Sequence, residues 1–314
     1  MAVPPESTES SSAPPPDRDA EPTGLVVLVE PGDRIHFLDW GWSGTPTADG
    51  VLLVHGLSST AWSWTPVARR VRARVHTVAM DLRGHGLSDA PTAGFDPPTL
   101  AADVVAVAEG SSLLGWPGGP AAPDRVVLAG HGFGAIVAAW AAETLGDRCA
   151  ALVMVDGGFE NFRESTGLEP DEFRRGLDEP PEILASIEAF LADRRGFDPV
   201  TWDADQERAA RATVVETAAG RVVPTTRPHV LEACVRAMFE YDPVEVLSRV
   251  EASIVLLVGP ENEEGSRGPA LDRLIAKLAA AGRPAPLVSK FPMDGHNLMR
   301  YRPAEVTAAI LGTG

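Results

Sequence analysis

The stretch Val126–Trp140, VVLAGHGFGAIVAAW, contains the residues whose spacing is most typical of catalysis. An apolar run, a glycine-rich turn and a second apolar run predict a strand, a sharp turn and a helix. In the pattern Gly-x-Ser-x-Gly, such a turn exposes a nucleophilic serine at the end of a sheet. Here the turn reads GHGFG over residues 130–134, so Gly132 occupies the position of the nucleophile.

Other residues of catalytic type follow predicted strands. His55 ends the segment VLLVH, Asp156 ends ALVMVD, and His296 lies in FPMDGHNLMR near the end of the sequence. Ligands of open α/β sheets bind beyond the carboxyl ends of the strands, so we expect these side chains to lie near Gly132. A histidine in contact with a carboxylate could act there as a general base.

Short, wholly apolar segments that end in Gly or Asp predict the strands that position these residues. They are 51–56, 75–81, 125–130, 151–158 and 253–259, and a hairpin turned at Pro31-Gly32 precedes them. Helical patterns alternate with the strands, around 60–73, 98–114, 133–146, 267–281 and 303–312. This alternation predicts an α/β fold with a mostly parallel, doubly wound sheet.

Residues 159–248 interrupt the alternation. Three amphipathic helices without intervening strands are expected there: PPEILASIEAFLADRR, ADQERAARATVVETAA and RPHVLEACVRAMFEY. We interpret this segment as a helical lid over a core formed by residues 24–158 and 249–314. Residues 1–23 are rich in Pro, Ser and acidic residues, which predicts a disordered tail and not a signal peptide.

The composition restricts the class of partner. The net charge of −17 argues against nucleic acid, whose phosphates require a basic patch, and no apolar run predicts a membrane span. Cys149 and Cys234 lie in apolar, helix-like contexts and predict buried reduced thiols, which fits a cytoplasmic location. No cluster of His, Cys and Asp has metal-ligand spacing, so neither a metal nor another cofactor is expected. The sequence indicates no oligomeric state.

Four motifs occur together: LLVHGLSSTAWSW, MDLRGHGLSDAP, GHGFGAIVA and DGHNL. With them the chain resembles the α/β-hydrolase superfamily from about residue 24 onwards, in particular lid-containing members that act on small molecules. The resemblance implies the α/β-hydrolase fold with an inserted lid. It also implies that the backbone N–H groups of Leu57 and Phe133 form an oxyanion hole and that His296 is the general base.

The carboxylate that would orient His296 has two candidate positions in this resemblance. Asp156 follows a predicted strand, where a buried carboxylate needs a partner that His296 could supply, and we favour it. The alternative is the loop PENEEG after the strand 253–259, which contains Glu261, Glu263 and Glu264. Such a cluster of charges is more typical of a solvated loop.

The remaining histidines and aspartates of the matching motifs are expected to support the site without taking part in the chemistry. They are His55, His85, His131, Asp81 and Asp103. His229 lies in the predicted lid and is expected to be structural or exposed. Asp294 is too close in sequence to His296 to orient its ring.

A glycine at position 132 suits the turn but removes its usual chemistry. The nucleophile of such a turn has a positive φ, which glycine adopts without steric cost. Without an Oγ atom no acyl-enzyme forms by the usual route, and the turn offers no Thr, Asp or Cys instead. Three hypotheses remain: a small-molecule hydrolase that has lost its serine, a non-hydrolytic enzyme centred on His296 (cyclase, lyase, epimerase or cofactor-free oxygenase type), or a catalytically dead protein that binds a ligand.

The expected ligand is a small, uncharged and fairly apolar molecule of ester, lactone or ketone type. The predicted lid contains large apolar side chains that would line a pocket or pack within the lid: Phe159, Phe162, Phe173, Trp202 and Met238. The acidic charge of the whole chain weakly disfavours a strongly anionic ligand.

Overall fold

The computed structural model describes residues 17–43, 49–115, 123–262 and 265–312. Its strands are β1 (Thr23–Val29), β2 (Asp33–Gly41), β3 (Gly50–Val54), β4 (Thr77–Met80), β5 (Val126–His131), β6 (Cys149–Val155), β7 (Val214–Glu216), β8 (Val222–Pro224), β9 (Ser253–Val258) and β10 (Leu287–Lys290). Its helices are α1 (Thr65–Val71), α2 (Pro97–Gly110), α3 (Phe133–Leu145), α4 (Phe162–Thr166), α5 (Pro170–Arg175), α6 (Ile187–Phe197), α7 (Ala204–Ala212), α8 (Pro228–Glu240), α9 (Pro243–Leu247), α10 (Arg267–Ala280), α11 (Leu298–Tyr301) and α12 (Pro303–Leu311).

Eight of these strands form one central sheet in the order β1-β2-β4-β3-β5-β6-β9-β10. The predicted N-terminal hairpin is present as the antiparallel pair β1 and β2, and β2 also pairs antiparallel with β4. All other neighbours in this sheet run parallel. The predicted α/β fold with a mostly parallel sheet is therefore confirmed.

The apolar strands are buried on both faces, as their unbroken hydrophobic sequences predict. Along β3, Leu52 belongs to the hydrophobic cluster that contains residues of α2 and α3, whereas Leu53 belongs to the cluster that contains residues of α1 and α12. Successive side chains of a strand point to opposite faces, so one apolar run supplies both layers. Helices thus cover both faces of the sheet, and the strand ends are left to form the site.

Between β6 and β9 the chain forms helices α4 to α9, as the interrupted alternation predicts, but also the hairpin β7–β8. The predicted absence of strands in residues 159–248 is wrong at this point. Helix α7 ends at Ala212, and β-branched residues of the run Thr213-Val214-Val215 favour extended backbone. We call residues 159–248 the insertion.

Two further expectations concern the chain ends and the thiols. Most of the predicted tail, residues 1–16, lies outside the described part of the chain. Cys149 and Cys234 are buried and unbridged, as predicted, and burial raises the pKa of each thiol to about 12.

No helix in the described ranges is both long and apolar enough to cross a membrane.

The glycine-rich turn packs directly against the end of β3. A Cβ atom on Gly134 would lie 2.3 Å from the carbonyl oxygen of His55 and 2.4 Å from that of Val54. A Cβ atom on Gly130 would lie 2.2 Å from the carbonyl oxygen of Gly134. These neighbours are backbone atoms, so the close approach of β3, β5 and α3 requires glycine at both positions.

We expect Gly134→Ala to lower the free energy of unfolding by about 3 kcal/mol, because the added methyl group forces backbone apart in a packed core. The matched control is Gly196→Ala in α6, where a Cβ atom would have no neighbour within 4 Å. That control should be neutral or stabilising by about 0.5–1 kcal/mol, since alanine favours helix. Urea unfolding measures both, and equal effects of the two substitutions would contradict the packing described here.

Candidate active site

Gly132 forms the sharp turn between β5 and α3, with φ of 54° and ψ of −120°. Its N–H group donates a hydrogen bond to the carbonyl oxygen of Val155 at 3.1 Å. Gly157 packs so closely on the turn that a Cβ atom there would lie 2.6 Å from the Cα atom of Gly132. The turn therefore has the positive-φ geometry that presents residue 132 at the end of the sheet, and glycine adopts it without strain.

The structure brings Asp156 and His296 into contact across 140 residues of sequence. The Nδ1 atom of His296 lies 2.7 Å from Oδ2 of Asp156. A carboxylate can only accept, so Nδ1 of His296 carries the proton and Nε2 is left as the basic nitrogen. The Asp156 side chain is 1% exposed and that of His296 is 58% exposed, so a buried carboxylate orients an accessible imidazole.

The basic nitrogen of His296 faces residue 132. A Cβ atom built on Gly132 would lie 3.3 Å from His296 Nε2 and 3.8 Å from the Cα atom of Gly56. A side chain at this position would therefore place an Oγ atom within hydrogen-bonding reach of the imidazole. With glycine, residue 132 places no side-chain atom in front of Nε2.

Asp156 is held by more than His296. Its Oδ1 atom accepts hydrogen bonds from the N–H group of Gly259 and from Nη2 of Arg267, both at 2.7 Å. Burial acts to raise the pKa of Asp156, but the hydrogen bond from His296 and the charge of Arg267 outweigh it and lower that pKa to about 2. The carboxylate is therefore ionised at every pH at which the imidazole could act as a base.

Arg267 is a residue of this site that the sequence did not reveal. Besides Asp156, its guanidinium donates to Oε1 of Glu160 at 3.0 Å and to the carbonyl oxygen of Pro260 at 2.7 Å, and it lies 5.0 Å from the ring centroid of Phe159. A buried carboxylate at a strand end was a signal that some cation would be needed. Nothing in the sequence indicated which of the many arginines would supply it.

Of the alternative acids, Glu261 lies within the described residues and makes no hydrogen bond or ion pair with His296 there. Glu261 accepts hydrogen bonds from the N–H groups of Arg267 and Gly268 at 2.6 and 2.8 Å, so it caps the start of α10. Glu263 and Glu264 lie outside the described residues. Asp294 accepts from Nε of Arg302 at 2.9 Å.

Two backbone N–H groups border the turn. Phe133 is the first residue of α3, so its N–H group has no partner within the helix and lies at the positive end of the helix dipole. Leu57 follows Gly56 in the loop after β3, which packs against the turn. Within the described ranges neither N–H group donates a hydrogen bond to protein, which leaves both available to a substrate oxygen.

The histidines expected to be structural are buried and hydrogen-bonded to backbone. His131 Nε2 lies 3.1 Å from the carbonyl oxygen of His296, His55 bonds the carbonyl of Gly56 and the N–H group of Leu82, and His85 bonds the carbonyl of Arg83. Burial lowers the pKa of His55, and it lowers the pKa of His131 and of His85 to about 3. These neutral rings are therefore poor general bases beside the accessible His296.

The remaining predicted residues lie apart from the catalytic-type cluster. His229 is exposed and its Nε2 lies 3.1 Å from the carbonyl oxygen of Pro91. Asp81 accepts from His36 and from backbone N–H groups, which ties together the loops around β2, β3 and β4. Asp103 forms a two-pronged ion pair with Arg83, with both nitrogen–oxygen distances at 2.7 Å.

A cavity of about 1030 Å³ lies between the insertion and the core. Its wall includes Ser58, which follows Leu57, and Asn297, which follows His296, but neither Gly132 nor His296. Of the apolar side chains considered from sequence, Trp202 lines it. The others pack within the protein: Phe162 and Phe173 stack with Phe239, and Phe159 and Met238 are buried.

The lowered pKa of Asp156 predicts a pH-dependent stability. A carboxyl group whose folded pKa is about 2, against an ordinary value of 3.8, stabilises the fold above the ordinary pKa and loses that effect as the pH falls. The expected contribution is about 2 kcal/mol at neutral pH, with about half of it lost by about pH 3. In urea unfolding, the parent should have a higher free energy of unfolding than Asp156→Asn at neutral pH, and this difference should become smaller as the pH falls. A difference independent of pH would contradict the assigned ionisation.

Comparison with known proteins agrees with the described fold. Residues 51–310 match the family described as the alpha/beta hydrolase family. A 2-(acetamidomethylene)succinate hydrolase of Mesorhizobium japonicum is 30% identical over 145 residues, 46% of this chain and 48% of the relative. N-formylmaleamate deformylase of Pseudomonas putida is 33% identical over 126 residues, 40% of this chain and 42% of the relative. The matched region thus spans less than half the length of these two relatives.

Solved structures are similar over nearly the whole chain. The structure of E-2-(acetamidomethylene)succinate hydrolase has a TM-score of 0.74 at 21% identity and covers 93% of this chain and 98% of its own. The thioesterase domain from the curacin biosynthetic pathway has a TM-score of 0.69 at 18% identity, with coverage of 93% and 99%. At such identities the likeness shows a shared fold.

Proposed function

The chain belongs to the alpha/beta hydrolase family, and we propose that it hydrolyses a small ester or lactone without forming an acyl-enzyme. His296, oriented by Asp156, acts as a general base on a water molecule beside Gly132, and the N–H groups of Leu57 and Phe133 stabilise the oxyanion. The observation that carries this proposal is the 3.3 Å between His296 Nε2 and the Cβ position of Gly132. It supports a base that faces the reaction centre across a space with no nucleophilic side chain.

The proposed reaction balances with water as the only co-reactant. Nε2 of His296 accepts a proton from water while the water oxygen bonds to the carbonyl carbon of the substrate. The resulting oxyanion accepts hydrogen bonds from the two backbone N–H groups. Its collapse breaks the bond to the leaving alkoxide, which takes the proton from His296 and departs as an alcohol. The charge of Asp156 stabilises the imidazolium in between.

The insertion supports this reaction as a lid. It supplies most of the wall of the 1030 Å³ cavity, whereas the core supplies Ser58 and Asn297 next to the proposed oxyanion hole and base. A cover of this kind excludes bulk water and strengthens the hydrogen bonds made to the developing charge. A substrate in the cavity would reach Gly132 between the loops that carry these two residues.

The test is turnover of p-nitrophenyl esters, lactones and the substrates named for the two relatives by the parent and by His296→Gln. We expect the substitution to lower kcat/KM by about 10²-fold or more, the usual contribution of general-base catalysis. The matched control is His229→Gln, because His229 is exposed and, among the described residues, its side chain bonds only to a backbone carbonyl. It should retain the parental rate.

Other outcomes of this test favour the alternative hypotheses. Turnover that is unaffected by His296→Gln would overturn the proposal. Exchange of a substrate C–H for solvent deuterium without bond cleavage, if it depends on His296, would replace hydrolysis with proton-abstraction chemistry at the same base. Binding without turnover of any compound would favour a protein that only holds a ligand.

A further inference from the structure

The wall of the cavity carries a different charge balance from the protein as a whole. Among the described residues that line it are Arg174, Arg194, Arg227 and Arg300 on the basic side and Asp178, Glu179 and Asp193 on the acidic side. Four positive and three negative side chains give the wall a net charge of +1, whereas the chain has a net charge of −17. A concave, positively charged wall on an acidic protein concentrates anions locally.

Two of the four arginines form ion pairs with all three carboxylates of the wall. Arg174 lies 3.1 Å from Asp178, one helical turn further along the chain. Arg194 pairs with Glu179 and, at 2.6 Å, with Asp193. These five groups together carry a net charge of −1, so the positive charge of the wall comes from the other two arginines.

Arg300 is held in place by neutral oxygen atoms, and the carboxylate of Asp198, which does not line the cavity, interacts with its charge from a longer distance. Its Nε atom donates to the hydroxyl oxygen of Thr201 at 2.6 Å, and its Nη2 atom donates to the backbone carbonyl of Asp198 at 2.7 Å. No carboxylate oxygen in the described part of the chain lies within 4.0 Å of it. Three of the five N–H bonds of the guanidinium remain free to donate. The side chain is therefore pre-oriented, charged and half-buried, four residues after His296.

Arg227 supplies a second free cation on the same wall. It precedes α8, is exposed, and makes neither a side-chain hydrogen bond nor an ion pair with any described residue. Neutral neighbours such as Pro228 and Leu231 line the cavity beside it. An unpaired arginine at a cavity wall gains most from a ligand carboxylate, since guanidinium and carboxylate form charge-assisted, often two-pronged hydrogen bonds.

We propose that the cavity is a carboxylate-binding site, in which Arg300 and Arg227 hold an anionic group of the ligand. The inference rests on the proposed function for the identity of the reacting group, because it places the carboxylate on the molecule that His296 acts upon. It changes the substrate class expected from sequence, an uncharged molecule, to a small ester, lactone or ketone-like molecule that also bears a carboxylate. The overall acidity of the chain concealed this local positive charge.

The test is isothermal titration calorimetry at low ionic strength with two probes of similar size, succinate and the uncharged succinamide. The parent should bind succinate at least about tenfold more tightly, which matches a charged hydrogen bond worth about 1.5–3 kcal/mol. Arg227→Gln and Arg300→Gln should each weaken succinate binding about tenfold and leave succinamide unchanged. Arg300→Lys should retain part of the affinity, because it keeps the charge but not the planar geometry.

Two controls keep the result interpretable. Arg273→Gln removes an exposed arginine that does not line this cavity, and it should bind succinate as the parent does. Arg227→Gln breaks no described contact, so a lost fold cannot explain its effect. Equal affinity of the parent for the two probes would overturn the inference, and so would absence of succinate binding at millimolar concentrations. Parental succinate affinity in the variant that combines Arg227→Gln with Arg300→Gln would also overturn it.

The outcome is separable from that for the proposed function, since binding is measured without turnover. Arginine-dependent succinate binding together with turnover that ignores His296→Gln would keep the carboxylate site and reject the mechanism. Turnover that depends on His296, in a protein that binds succinamide more tightly than succinate, would keep the mechanism and reject the carboxylate site.

Discussion

Gly132→Ser is expected to raise ester turnover by about 10²-fold or more, because it adds the one group that the site lacks for covalent catalysis. The Cβ position of residue 132 lies 3.3 Å from His296 Nε2, so a serine Oγ atom comes within reach of the base after a small shift of the imidazole. Asp156 already orients that imidazole at 2.7 Å. The measurement is kcat/KM for p-nitrophenyl acetate and butyrate.

The matched control is Gly132→Ala, which adds the same Cβ atom and the same strain at a positive φ but no hydroxyl group. It should be slower than the parent, because the methyl group fills the space proposed for the water molecule. Gly132→Ser combined with His296→Gln should lose the gain. A serine variant that is folded yet no faster than the alanine variant would show that the elements of this site do not act together.

Arg267→Met is expected to lower the free energy of unfolding by about 3–5 kcal/mol, the usual cost of leaving a buried charge without its partner. Arg267 lies between the buried carboxylates of Asp156 and Glu160, at 2.7 and 3.0 Å. Without it, two negative charges face each other in a poorly solvated place, and Asp156 loses a contact that fixes its orientation. Unfolding in urea measures the loss of stability, and turnover should fall with it.

Two further variants test whether the loss of stability is specific to Arg267 or would follow from removing any arginine of the helix. Arg273→Met lies on the same helix, where its partner Glu164 is 3.5 Å away and both side chains are exposed, so its cost should stay within about 1 kcal/mol. Glu160→Gln in the Arg267→Met background should restore part of the stability, because it removes one of the two carboxylates that lost the arginine as a partner. An additive loss in the double variant would contradict the described role of Arg267.

The sequence predicted the architecture well because the strands carry their signal locally. Unbroken apolar runs such as β3 and β5 are buried on both faces, and their glycines mark the turns that follow. The exceptions are short and exposed. Strand β10 has four residues at the sheet edge, and hairpin β7–β8 interrupts a helical pattern through a few β-branched residues. Such elements are stabilised by their neighbours more than by their own sequence.

The site was harder to predict from the sequence, because its contacts join residues that are far apart in the chain. Four local motifs pointed to Gly132, Leu57, Phe133 and His296, but the choice between Asp156 and Glu261 required knowing where two distant loops meet. In the structure Asp156 is hydrogen-bonded to His296, whereas Glu261 accepts hydrogen bonds from the first N–H groups of α10. Arg267 and the unpaired arginines of the cavity have no local signal, because arginine is common on solvated surfaces and only pairing in three dimensions distinguishes them.

We propose that this site has a working base and oxyanion hole but no nucleophile at residue 132. Intact-protein mass after incubation with a fluorophosphonate tests it most directly, because that reagent modifies activated serines. We expect no adduct on the parent and one adduct on Gly132→Ser, which is lost again when His296→Gln is added. An adduct on the parent, or a folded serine variant that stays unmodified, would contradict it.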